Sequence, residues 1–551
     1  MASEADTRPS ESVRSVYVML AVIAISIVAG RIAVVVSREG DTAFLSANDR
    51  SRWCTIASLV ETGSYEIDSY LTRTGEKRNR RPWYTIDLVR HQGDDGELHF
   101  YSSKPPLLPT IYAGGYWLVR QSLGMSLSDH PLYLARILLA LFNLPVLALF
   151  LLCTILSIDR VTRTRWAKIF LASCVCFGTM LLPFTVSLSN HLPAAASASV
   201  VLFFFTKYFI GSEQRLTLPS SVLAGLAAGF LAANELPALS IVAFWGAMLL
   251  WLDRRSVIGY SLGVVVVGIA FFAVNWIAHG SLRPPYTHRG IGDEIGQFDS
   301  ESMEVDPLAL KTLLTQKELA SNDDQIVIEP ARVAGRLRVS INKHQLFALQ
   351  LTETDSSPDN LAEKNGSHSW TLRQWDDWYD YPGSYWVDGR RQGVDLGEPS
   401  RATYLTNMTI GHHGLFSLTP IWLLVPLGFV GCLRPVRVNS RNHYDTMRWR
   451  ALLATIVMSS LVCAVFYVMR PEIDRNYGGV SVCFRWMLWF APLWLFAMSL
   501  PVDWLGERAW GRVFCVVLLA ASASSMSTAL SSPWQSPWLY RFWDFLGWLG
   551  P

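Results

Sequence analysis

Long apolar runs alternate with polar connections along this chain, and many of the runs have membrane-spanning length. After the polar start MASEADTRPSESVR, residues 16–36 form a nearly continuous apolar run interrupted by Gly30 and Arg31. About 20 such residues as a helix match the hydrocarbon thickness of a bilayer. No small-residue cleavage motif follows, so the run reads as an uncleaved first span and not as a signal peptide. Further runs lie near 132–157, 168–188, 192–210, 218–233, 236–252, 257–278, 413–433, 449–469, 484–502 and 511–531. The pattern predicts an all-α polytopic membrane protein with about eleven transmembrane helices. The apolar piece at 107–119 is too short to cross, and is expected as a juxtamembrane or re-entrant helix whose ends are satisfied by neighbouring protein.

The charged connections then orient the bundle. Residues 159–168, DRVTRTRWAK, hold four basic residues against one acidic; residues 253–255 read DRR; residues 434–450 hold five arginines against one aspartate. Lys and Arg near span ends are retained in the cytoplasm. All three fall on one side if the N-terminus is cytoplasmic and the chain crosses once between residues 38 and 158. The extracytoplasmic face of a plasma (inner) membrane then collects two large segments, 38–131 and 279–412. Three regions result: 1–278, with the first outer loop at 38–131; the outer segment 279–412; and a C-terminal membrane region, 413–551. In the second segment, DPLALKTLLTQKEL and NLAEKN suggest short helices. The aromatic and acidic stretch 370–386, WTLRQWDDWYDYPGSYW, reads either as interfacial anchors at the return to the bilayer or as a sugar platform.

Composition agrees with this class. Of 551 residues 51% are hydrophobic and 17% charged, and the mean hydropathy is positive, which is unusual for a soluble enzyme and ordinary for a polytopic membrane protein. The net charge of +2 says little. The eight cysteines (Cys54, Cys153, Cys174, Cys176, Cys432, Cys463, Cys483 and Cys515) lie mostly in or beside apolar runs without zinc-site or disulfide-scaffold spacing, and read as small core- or lipid-facing residues.

Several polar residues fall at one level, near the outer ends of helices. Asp49 follows the first span in LSANDRSRW. Asn190 and His191 occupy one outer turn, SLSNHLPAA, and Asn234 and Glu235 the next, AANELPAL. Ionisable groups at that depth are costly unless they face a cavity, a partner or a substrate; the alternative is that each caps the helix beside it. Lys104 precedes Pro105 and Pro106, whose fixed φ gives a stiff approach to the next helix and holds the ammonium near the outer surface. It can meet a phosphate as a point charge, or snorkel to lipid headgroups. Arg485 follows the Gly478–Gly479 pair and opens an apolar span, where a guanidinium calls for an anion. His412 and His413, in GHHGLFSLTP, adjoin the next membrane segment and either line the same cavity or cap locally; two adjacent histidines do not make a metal site.

This order of elements, an acidic motif after span one, KPPL before a helix, an outer His turn and a late GG…RW span, is similar to that of the GT-C superfamily of polyprenyl-phosphate-sugar-dependent glycosyltransferases. Within it, the order resembles the aminoarabinose transferase and protein O-mannosyltransferase branch. The resemblance covers chiefly residues 15–260, with a weaker trace at 411–500. It implies a GT-C-like helical bundle that transfers a sugar from a polyprenyl-phosphate donor to an extracytoplasmic lipid, glycan or protein acceptor. It also implies Asp49 as the catalytic or acceptor-orienting carboxylate, Lys104 and Arg485 at the donor phosphate, and Asn190 and His191 at the outer polar turn. The family's Asp-Glu pair is Asp49-Arg50 here, so Glu61, Glu66 and Asp68 in ETGSYEIDSYL stand as substitutes for the missing glutamate. No cofactor is required by these motifs, although the resemblance leaves room for a divalent cation. Partners are membrane lipids, the lipid-linked sugar and the acceptor, with no nucleic acid. A lipid-linked-substrate transporter or a non-enzymatic envelope assembly component are the competing functions.

Overall fold

Length and apolar composition select the membrane helices in the computed structural model, which describes residues 11–73, 81–210, 216–300, 302–342, 344–351, 368–387, 389–433 and 443–549. Among the described residues seven helices are long and apolar enough to cross a membrane: Glu11–Val34, Pro131–Val161, Arg165–Phe184, His191–Ile210, Arg254–His279, Met447–Val468 and Ala509–Ser527. The pair Arg485–Ala497 and Ser499–Gly506, bent by 45°, makes an eighth if taken as one span. The protein is therefore an integral membrane protein, but the expected count of about eleven is reduced. Leu218–Asn234, Leu236–Leu252 and Pro420–Val430 coincide with three expected spans and are shorter apolar helices. In the first two, Glu235 and Pro237 end one helix and start the next.

Burial sorts these helices. In Arg165–Phe184 and His191–Ile210, 78% and 72% of the apolar window is buried, against 22% in Glu11–Val34 and 17% in Arg254–His279. The first two form the middle of the bundle, and the last two are left for lipid. Leu218–Asn234 packs closely on Arg254–His279 because glycine faces glycine: a Cβ at Gly225 or Gly263 would overlap the backbone of the facing helix. Between the two central helices, residues 185–189 leave helical geometry, and protein groups meet the freed backbone. Asn143 Nδ2 donates to Thr185 O at 2.8 Å and Ser187 O at 3.1 Å.

The two ends of the bundle are chemically distinct. At one, Tyr17 donates to Asp159, which also pairs with Lys168 at 2.9 Å, while Asp503 accepts from the backbone nitrogens of Arg163 and Thr164. The start of the first helix thus lies beside the basic 159–168 connection. At the other, Arg136 Nε donates to Val35 O at 2.9 Å, and both large polar segments gather there.

Those segments contain strands, so the expected all-α fold is corrected to a mostly helical one with a small sheet domain. β1 (Leu88–Gln92) and β2 (Leu98–Ser102) form an antiparallel hairpin. β3 (Arg289–Ser300), β4 (Ile326–Pro330), β5 (Arg336–Ile341), β6 (Gln345–Leu351) and β7 (His368–Asp377) form an antiparallel sheet in the order β3-β7-β6-β5-β4. Period-two alternation drives it: Val339 and Ile341 of β5, Phe347 and Leu349 of β6, and Trp370 and Leu372 of β7 face inward onto Leu310, Leu313 and Leu314. Those leucines lie on helix Pro307–Gln316, which forms within the expected DPLALKTLLTQKEL and is capped by Asp306. NLAEKN lies outside the described residues. Residues 370–386 form an interior strand and its exit, with Trp370 in the sheet core and Trp378 buried on the hairpin. The sheet is joined to the hairpin where Arg90 N donates to Trp378 O and Trp386 Nε1 to Ile86 O, each at 2.8 Å.

Candidate functional site

A cavity of about 690 Å³ opens between the membrane helices and the polar segments, with walls drawn from residue 45 through residue 534. Its inner wall is a continuous polar chain. Asn48 and Arg52 stand one turn apart on helix Ala47–Glu61, so they share a face, and Arg52 Nη1 donates to Asn48 Oδ1. Arg52 Nη2 donates to Asn190 Oδ1 at 3.0 Å; Asn190 Nδ2 donates to Glu235 Oε1 at 2.7 Å and to Asn234 O at 2.9 Å. His191 Nδ1 meets the same Glu235 oxygen at 2.7 Å, and its Nε2 lies 2.8 Å from Arg485 Nη1. A guanidinium only donates, so Nε2 accepts and the imidazole proton sits on Nδ1, pointing at Glu235. Arg485 is further held by Gly478 O, 2.8 Å from its Nε, and by the Trp534 ring, 4.8 Å below its guanidinium carbon.

The positive charge of this wall is left over. Among the described residues neither Arg52 nor Arg485 has a carboxylate at salt-bridge distance; Glu235 reaches them through Asn190 and His191. Both arginines are buried, and burial together with the charge of Arg485 pulls Arg52 down to about 10. Two buried guanidinium groups beside one cavity repel unless an anion lies between them.

The hairpin supplies the adjacent wall. Leu88 pairs with Ser102, so the residues just outside that pair, Asp87 and Ser103, are also opposed, and Ser103 N donates to Asp87 O at 3.1 Å. Lys104 follows directly, and its Nζ lies 3.0 Å from Asp87 Oδ1. Burial draws the lysine below its ordinary range while Asp87 opposes that shift. Pro105 and Pro106 then lead into helix Leu107–Leu123, as the KPPL pattern required.

The sheet roofs the cavity with Arg289, Tyr379 and Trp386, and the segment after span Met447–Val468 adds Arg470 and Asp474. Arg289 Nη1 and Arg470 Nη2 lie 3.2 and 3.5 Å from the same Asp474 oxygen. In the whole lining, Arg289, Arg332, Arg391 and Arg470 join Arg52, Lys104 and Arg485, against Asp87, Glu235, Asp395 and Asp474. The cavity is therefore electropositive, as a site for an anionic ligand would be.

The structure brings together Lys104, Asn190, His191, Glu235 and Arg485. Asp49 does not line the cavity. It completes a capping box at the start of its helix, where its carboxylate accepts from Ser46 N at 2.8 Å and Leu45 N at 3.0 Å and is fully buried. Burial raises its pKa, against these hydrogen bonds. Glu66 and Asp68 are also elsewhere: both lie near His99, and Asp68 accepts from Phe100 N, which ties the loop to β2. Glu61 holds Tyr70, Tyr116 and Ser128. His412 and His413 are buried in an aromatic nest outside the lining, His413 stacked on Tyr477 at 4.0 Å and His412 edge-on to Tyr540. Arg52 and Asp87 on the membrane-side wall were missed by sequence reasoning, as were Arg289, Arg332, Arg391, Asp395, Arg470 and Asp474 in the rest of the lining. Among the described residues no three His, Cys, Asp or Glu side chains are gathered to hold a metal ion, so the side chains do not fit the divalent cation that the resemblance left open.

No protein-family model and no curated relative matches the sequence. In structure the chain is similar to membrane glycosyltransferases of the GT-C kind. One is the S. cerevisiae protein O-mannosyltransferase Pmt1-Pmt2 complex bound to its sugar donor, with a TM-score of 0.46 and 11% identity over 98% of this chain and 93% of that one. Another is the Archaeoglobus fulgidus oligosaccharyltransferase in its apo form, with a TM-score of 0.44 and 12% identity over 97% of this chain. This chain spans 57% of that protein's length. At these scores the likeness carries no argument about the site, which is argued from its own side chains.

Proposed function

We propose that the protein transfers a sugar from a polyprenyl-phosphate-linked donor to a lipid, glycan or protein acceptor on the extracytoplasmic face of the plasma membrane. The observation that carries this reading is the pair Arg52 and Arg485: two buried guanidinium groups, without a carboxylate of their own among the described residues, at the wall of a cavity set at the end of membrane helices. A lipid phosphate satisfies them and arrives from the bilayer. Lys104, half neutralised by Asp87, completes the cradle. As the bond between sugar and phosphate breaks, negative charge builds on the departing phosphate, and fixed cations in a poorly hydrated site stabilise it more than water does. The orientation is supported by the basic 159–168 connection beside the start of the first helix, at the end of the bundle opposite the cavity.

The test is transfer of radiolabelled sugar from a panel of polyprenyl-phosphate-linked donors by the purified protein in lipid nanodiscs. Label in an acceptor, lost in Arg52→Gln and Arg485→Gln at matched folding, supports the function. A second reading, transport of the lipid-linked substrate, draws on the 45° break between Arg485–Ala497 and Ser499–Gly506. Donor that crosses a sealed vesicle with its sugar bond intact, and no transfer, would favour it.

A further inference from the structure

The transfer proposed above needs a group to take the acceptor's proton, and Asp49, committed to its capping box, is not placed to do so. Among the described residues four carboxylates line the cavity. Glu235 has Asn190 and His191 donating to it. Asp474 is held between Arg289 and Arg470. Asp395 accepts from Tyr385 at 2.9 Å, and the charges that act on it are Asp87, Lys104 and Arg391, not the paired arginines. Asp87 differs from all three. It lies 3.0 Å from Lys104 in the cavity wall that it shares with Arg52 and Arg485, and its charge acts on both arginines as well. Lys104 meets its Oδ1, and among the described residues its Oδ2 takes no hydrogen bond.

We infer that Asp87 is the catalytic base and that the Asp87–Lys104 pair is the reacting unit of this site, an inference that rests on the glycosyl-transfer reading. The acceptor hydroxyl oxygen forms a bond to the anomeric carbon while the bond from that carbon to the phosphate oxygen breaks. The electron pair leaves with the phosphate, where Lys104, Arg52 and Arg485 balance its charge. The hydroxyl proton passes to Asp87 Oδ2 and from there to water, which restores the carboxylate. Lys104 has two functions: it holds Asp87 in place through Oδ1 and faces the phosphate as its charge grows. The hairpin holds both, because the β1–β2 register fixes Asp87 across from Ser103 and next to Lys104. Base and leaving-group cation therefore move as one body.

The experiment compares wild type, Asp87→Asn and Asp87→Glu in nanodiscs, with thermal midpoints to match folding. It measures sugar transfer from the donor that the wild type uses and, separately, binding of undecaprenyl phosphate. Asp87→Asn is expected to lower kcat by about 10²- to 10⁴-fold, the usual contribution of a positioned base. It should bind undecaprenyl phosphate no more weakly, because no cation has been removed. Asp87→Glu, which keeps a charge for Lys104 if the asparagine variant folds poorly, should recover part of kcat. Transfer by Asp87→Asn at the wild-type rate overturns the assignment and leaves the transferase function standing, as does a loss confined to Asp395→Asn or Asp474→Asn. A wild type that transfers from no donor overturns the function itself, and the base with it.

Discussion

Arg485 Nη1 donates to Nε2 of His191 across 2.8 Å, and this contact fixes the protonation of the inner wall. With Nε2 accepting, the imidazole is neutral and its Nδ1–H is directed to Glu235. Glu235 Oε1 accepts from both His191 and Asn190, and through them it restrains both arginines. Glu235→Ala leaves two buried donors unpaired beside two cations, and should lower stability by roughly 3–5 kcal/mol, read as a fall in thermal midpoint. Glu235→Gln keeps an acceptor oxygen and should lose much less.

Arg52 and Arg485 should contribute comparably to anion binding. Charge-assisted hydrogen bonds are worth roughly 1.5–3 kcal/mol, so Arg52→Gln or Arg485→Gln should weaken undecaprenyl phosphate binding by about 10-fold or more. The double variant should lose less than the product of the two single losses if both guanidinium groups hold one phosphate, which a double-mutant cycle of dissociation constants measures.

Asp49 and the catalytic step should separate. Asp49→Asn replaces one of the two acceptor oxygens of the cap with a donor that faces a backbone N–H, at a cost of about 1 kcal/mol. Transfer per folded molecule should be unchanged. A collapse of transfer at matched folding would return the base to Asp49.

Gly478 is needed for its shape. Its φ is +95°, and a Cβ there would press on the Arg485 side chain that Gly478 O holds. Gly478→Ala should shift Arg485 and reduce phosphate binding, whereas the neighbouring Gly479, whose added Cβ meets only Asp395 at 3.8 Å, carries the backbone strain alone. Binding of undecaprenyl phosphate to both alanine variants distinguishes them.

Acid should loosen the seat of the sheet. His91, on β1, is stacked on Tyr101 and packed against Trp378, with its Nε2 3.1 Å from His279 Nδ1. Burial pulls its pKa from 6.5 down to about 4. An unfolded imidazole takes a proton near 6.5, and the buried one only near 4, so the unfolded state binds more protons between these values. Stability contributed by His91 is thus present above pH 6.5 and lost as pH falls toward 4, by at most roughly 3 kcal/mol. The thermal midpoint of His91→Phe, which keeps a ring on Tyr101, should depend less steeply on pH across that window.

The wall residues that were legible in the sequence were those conspicuous against their surroundings. Asn190, His191 and Glu235 interrupt apolar runs, Arg485 stands at the head of one, and Lys104 is set off by two prolines. Arg52 and Asp87 gave no such contrast, since ANDRSRW and YTIDLVRH are polar stretches in which a charge is ordinary. Only the hairpin register and the pairing with Asn190 give them a place in the wall. For Asp49 the local signal was present, because Ser46 and Asp49 have capping-box spacing. The sheet was legible too: RLRVSI alternates in period two, and that signal was obscured by the expectation of helices in an otherwise helical chain.

Arg485 lies over an indole made only when synthesis reaches Trp534. A polypeptide that stops short of that residue can insert most of its spans and still lack the surface on which this guanidinium rests. The cradle is therefore complete only once residue 534 has been made, and newly made protein does not acquire it piecemeal.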